Sequence, residues 1–121
     1  MGERRGSVRV PLGVYANEAV GEDLLRAFAT DVSPAGIYVE RVPGASERLL
    51  HRWGERVQIE VPLPGLGETI WAAARVIHDR TGGLYHGTAL RFTGMAKRHR
   101  EAVLAYVYDA RRAPFRTVRK L

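Results

Sequence analysis

Two groups of residues have types and spacings that suit chemistry on an anionic partner. Arg4, Arg5 and Arg9 lie close together near the first residue of the sequence. An Arg side chain is a flat fork of N–H donors that can bridge two phosphate oxygens or both acceptors on one edge of a guanine. Further along, Asp31-Val32-Ser33-Pro34-Ala35-Gly36 sets a carboxylate, a hydroxyl and a glycine within six residues. An ionised Asp only accepts hydrogen bonds, a Ser hydroxyl can donate to an anionic oxygen, and Gly lets the backbone come close and present its N–H. The same string is also ordinary turn chemistry, in which Asp and Ser bond to nearby backbone and Pro fixes φ. Each Arg has a bland alternative as well, a solvated charge near a terminus.

Composition bounds what these residues belong to. The 121 residues are 45% hydrophobic, enough for one domain with one core. There is no Cys, which excludes disulfides, thiol catalysis and thiolate metal sites and fits a cytoplasmic setting. Residues 1–9 are charged and lack the apolar stretch of a signal peptide, and no run approaches the roughly 20 apolar residues of a membrane span. The net charge of +6 favours anionic partners: nucleic acid, nucleotides or acidic lipid headgroups. Arg outnumbers Lys 17 to 2. A GC-rich genome supplies Arg codons everywhere, so no single Arg identifies a site. The spacing of Arg5 and Arg9 indeed recurs at Arg48/Arg52, Arg52/Arg56 and Arg112/Arg116.

The elements that must position these groups follow from periodicity. Val8, Val10, Leu12 and Val14 alternate as in a strand, with Arg9 on the opposite face. A turn at 21–23 leads to a strand over 24–30, the turn at 31–36 to a third strand over 36–40. A polar loop over 43–54, with a helical turn near 47–52, precedes a fourth strand in which Val57, Ile59, Val61 and Leu63 alternate. Strands over 69–78 and 84–93 flank a Gly-containing hairpin. From Ala96 to Arg111 the period becomes helical, with Val103, Tyr106, Val107 and Ala110 on one face. The pattern predicts a mainly β protein: a six-stranded antiparallel β-barrel with a C-terminal α-helix covering an open end or edge. Residues 1–111 form its single domain, with 1–9 as a flexible arm and 112–121 as a basic tail.

With that frame in place, Arg5-Gly6-Ser7-Val8-Arg9 resembles the RxxxR signature of PilZ domains, and Asp31 to Gly36 is similar to their (D/N)xSxxG signature. Order and placement agree, and the six strands and helix extend the likeness from Arg4 to about Arg111. The resemblance implies a PilZ-like receptor for the bacterial second messenger cyclic di-GMP, with Arg4, Arg5, Arg9, Asp31, Ser33 and Gly36 as the ligand-binding residues. It implies Arg forks on phosphates and on the guanine O6/N7 edge, and Asp31 on guanine N1–H and N2–H. It also implies a clasping role for the arm, and a surface change that signals to an effector protein. The resemblance further implies that an Arg at position 4 can favour a self-intercalated pair of ligands. Many members have Gly where this sequence has Ala35, whose methyl disfavours positive φ and would temper affinity.

Other features are weaker. His78 and His86 flank the late hairpin, where they would face each other, but no further ligand completes a metal site. Trp71 reads as barrel packing before base stacking, and Trp53 as surface packing before a partner anchor. No phosphate-binding loop, nucleophile elbow or zinc-protease motif is present, so the chain reads as a non-enzyme that needs no cofactor beyond its ligand. Two alternatives stand beside the receptor: a PilZ-fold interaction module that ignores nucleotide, and a basic β-barrel that binds nucleic acid.

Overall fold

The computed structural model describes residues 8–41, 54–80 and 86–120. Arg4, Arg5, Trp53 and the helical turn expected near 47–52 lie outside the described residues. The strands are β1 (Val10–Val20), β2 (Asp23–Val32), β3 (Gly36–Arg41), β4 (Arg56–Leu63), β5 (Glu68–Arg80) and β6 (His86–Met95), followed by helix α1 (Lys97–Lys120). All neighbours are antiparallel, in the closed order β1-β2-β3-β6-β5-β4. The six-stranded barrel with one C-terminal helix is thus the observed fold.

Alternation fills the barrel. Val57, Ile59, Val61 and Leu63 of β4 point inward beside Ile37 and Val39 of β3, Ile70 and Val76 of β5 and Leu90 of β6, all buried. At roughly 25 cal/mol per Å² of apolar surface removed from water, these side chains dominate stability. One inward residue is charged: Glu18 is fully buried, with Arg41 Nε 3.9 Å from its carboxylate. This polar position breaks the apolar alternation, and β1 runs six residues beyond the Val14 at which the apolar pattern stops.

Helix α1 packs on β5 and β1, the two strands that flank β4. Val103 and Val107 enter the core cluster, with Ala102, Tyr106 and Ala110 partly buried against it. Two polar contacts fix the helix. His99 Nδ1 accepts the backbone N–H of Trp71 on β5 at 3.1 Å, and the Tyr106 hydroxyl donates to the Pro11 carbonyl on β1 at 2.9 Å. The helix does not stop at Arg111 but continues to Lys120. The Arg-rich stretch predicted as a separate tail is thus a continuation of the same element.

Burial raises the Tyr106 phenol pKa above its ordinary value. The folded protein therefore holds that proton more tightly than the unfolded chain does. The resulting stabilisation is complete below the ordinary tyrosine range and is lost as pH rises through the folded value. Tyr106→Phe should cost about 1 kcal/mol at neutral pH, the net worth of one hydrogen bond. Urea denaturation between about pH 9 and 11 should show a steeper loss in the wild type than in the variant.

Candidate functional site

Arg9, which ends the first signature, meets the second signature where β1 begins and β2 ends. Pro11 pairs with Asp31 and Val10 with Val32, which sets Arg9 diagonally across from Asp31 on the outside of the barrel. Arg9 Nη1 donates to Asp31 Oδ1 at 2.6 Å. The two side chains are 44% and 33% exposed, so the pair itself adds under about 1 kcal/mol of stability. Its importance is positional: a fork of donors is already held over an acceptor, with room for a further group to join. Arg4 and Arg5 lie outside the described residues, so of the three arginines only Arg9 is placed.

Two irregularities aim Asp31. Along β2, Ala27, Ala29 and Val32 are buried while Thr30 and Asp31 are partly exposed. The β2–β3 register shifts between Ala29 and Asp31, and the β1–β2 register shifts between Pro11 and Val14, around Gly13 at φ 67°. Regular alternation would send Asp31 inward with Ala27 and Ala29. The bulge turns it out to the surface, as bulges beside functional sites commonly do.

Ser33 and Gly36 build the turn rather than line an open surface. Ser33 is 1% exposed. Its Oγ accepts the N–H groups of Ala35 and Gly36, each at 3.1 Å, and its own N–H donates to the Gly36 carbonyl at 2.8 Å. The Gly36 N–H, expected to face a ligand, is held inside the turn. Gly36 does not have positive φ. It is glycine because β6 passes too close: a Cβ there would collide with the Leu90 carbonyl oxygen. Ala35 adopts negative φ, so its methyl carries no backbone penalty. Its carbonyl accepts the Phe92 N–H at 2.8 Å, which ties the turn to β6.

Cross-strand register extends the site sideways. Pro11, Asp31, Tyr38, Ala89 and His78 form one row across β1, β2, β3, β6 and β5. Tyr38, which sequence reading treated only as a strand residue, stands beside Asp31 and lays its hydroxyl end over Gly87, where any Cβ would collide with it. The signal was there in principle: an aromatic two residues past the signature glycine. His78 and His86 are not opposite each other. His78 pairs with Ala89, while His86 pairs with Arg41 across β3. Among the described residues no cluster of three or more His, Asp or Glu could hold a metal ion.

Arg9, the placed residue of the first signature, thus stands outside the barrel beside the Ser-capped turn of the second. The sequence matches the family model for the PilZ domain over residues 3–109. The chain belongs to the PilZ family. Solved PilZ structures share the fold. The PilZ domain of YcgR from Escherichia coli, determined with c-di-GMP, aligns with a TM-score of 0.69 at 18% identity over 98% of this chain and 99% of that domain. The Bacillus subtilis inhibitor of motility MotI/DgrA aligns with a TM-score of 0.75 at 22% identity, covering 88% of this chain and 50% of that one. YcgR in complex with c-di-GMP gives 0.76 at 17% identity, over 97% of this chain and 50% of that one. The chain therefore spans about half the length of MotI/DgrA and of YcgR. No curated protein matches it significantly.

Proposed function

We propose that this PilZ chain is a cyclic di-GMP receptor, a binding protein rather than an enzyme. The observation that carries the reading is the 2.6 Å Arg9–Asp31 pair, held outside the barrel by a bulge and set against the Ser33-capped turn. Donor forks from Arg4, Arg5 and Arg9 suit phosphates and the guanine Hoogsteen edge; Asp31 suits the Watson–Crick edge. Ser33 and Gly36 act mainly by fixing the turn that presents Asp31. The solved PilZ neighbours with c-di-GMP support the ligand class.

On binding, the arm over residues 1–9 closes onto the ligand, and the altered surface signals to an effector protein. Isothermal calorimetry with cyclic di-GMP should give roughly micromolar or tighter affinity. Arg5→Ala, Arg9→Ala and Asp31→Ala should each weaken it about tenfold or more, because each removes a charge-assisted contact. Absence of any heat or thermal shift with the wild type would end the receptor reading. It would leave the ligand-independent interaction module and the basic nucleic-acid-binding barrel.

A further inference from the structure

Three arginines line up on the outside of the barrel, and the last of them, Arg91, pairs with Gly36 of the signature turn. Arg56 of β4 pairs directly with Arg75 of β5, and Arg75 pairs directly with Arg91 of β6. All three are exposed. Adjacent strands lie about 4.8 Å apart, so the row spans about 10 Å of surface. Like charges directly opposite one another destabilise a sheet. Among the described residues no carboxylate lies within ion-pair distance of any of the three. Arg75 Nη1 instead donates to the Gly54 carbonyl at 3.0 Å, which anchors the middle guanidinium without neutralising it.

The row borders a depression. A cavity of about 730 Å³ is lined by Arg56 and Arg75 together with Gln58, Thr93 and the β1–β2 turn at Ala19 and Gly21. That volume falls in the range of small-molecule sites. It opens at the end of β1 remote from Arg9. Gln58 and Thr93 add neutral donors, so the lining holds no group that repels an anion.

We propose that the Arg56–Arg75–Arg91 row and its depression form a second anion site, one that takes an oligophosphate chain. Guanidinium groups repeated at strand spacing fit several linked phosphates better than a single one, since each fork can take a separate pair of oxygens. A carboxylate ligand would use one fork and leave the others repelling. The occupant is therefore a chain of phosphates, free or as the tail of a nucleotide.

The test uses inorganic tripolyphosphate and the 121-residue chain at low ionic strength. Calorimetry should show saturable binding. Arg75→Gln and Arg56→Gln should each weaken it tenfold or more, while Arg9→Ala leaves it unchanged within twofold. Adenosine triphosphate should compete if the phosphate tail is what is read. Without ligand, Arg75→Gln should raise the urea midpoint, because it removes the central repulsion; this readout also shows that the variant folds. Four results would overturn the proposal: no binding by the wild type, equal binding by Arg75→Gln, equal affinity for single phosphate, or displacement by saturating cyclic di-GMP.

Discussion

Gly36→Ala should destabilise the protein by about 3 kcal/mol, at the upper end of what overpacking costs. The added methyl would strike the carbonyl oxygen of Leu90, a backbone atom that cannot rotate aside. Relief requires β3 and β6 to separate. That would strain the Ile37–Leu90 pairing next to it and the Phe92 to Ala35 hydrogen bond that anchors the turn. Ile37 and Leu90 are both essentially buried, so the strain spreads into the core. Gly94→Ala is the matched control. A Cβ at Gly94 meets nothing within 4 Å, and this position should change stability by less than about 0.5 kcal/mol. Urea unfolding of both variants, read as midpoints at constant slope, separates the outcomes. Equal midpoints would show that the β3–β6 contact relaxes freely. The expected collateral effect is loss of ligand binding in Gly36→Ala at temperatures where the protein remains folded, because Asp31 and the turn share that support.

The second large effect is ligand-linked stability. Cyclic di-GMP at about 100 times its dissociation constant should raise the unfolding free energy by about 2.7 kcal/mol, since it binds only the folded chain. For a domain of this size the melting temperature should rise by roughly 10 °C. Asp31→Ala should abolish most of that shift at the same ligand concentration while lowering ligand-free stability little, given how exposed its pair with Arg9 is. The double variant Arg9→Ala/Asp31→Ala should lose less affinity than the two single losses combined, because each single variant leaves its partner misplaced. Strict additivity would mean that the 2.6 Å pair plays no part in arranging the binding surface.

Much of the architecture could be read before any coordinates. The clean alternation of Val57 to Leu63 and the helical recurrence of Val103 and Val107 both reflect burial on one face, and both segments occur where they were expected. The signature turn was equally plain, because Asp, Ser, Pro and Gly each restrict backbone geometry locally. What stayed hidden depends on neighbours distant in sequence. Nothing in Ala27-Phe28-Ala29-Thr30-Asp31 announces a bulge, yet that bulge decides whether Asp31 faces core or surface. Gly36 reads as a residue of close approach to a ligand, and its close approach is to the carbonyl oxygen of Leu90 on β6. The Arg56–Arg75–Arg91 row exists only once two registers are known. The inward place of Glu18 on β1 was equally hidden, because a buried carboxylate inside a small barrel is rare.

Helix α1 holds β1 through Tyr106 and β5 through His99, and the strand between them, β4, closes the barrel on β1 through only Asn17↔Glu60, Glu18↔Ile59 and Ala19↔Gln58 in register. The helix thus acts as a clasp across the shortest seam. Were it to detach, amide protons along that seam should exchange with solvent first, well before those of β5 and β6. The same opening would expose two unpaired strand edges, each a template for another chain. The docked helix therefore does more than cover apolar surface: it keeps the barrel from offering the edges through which β proteins aggregate.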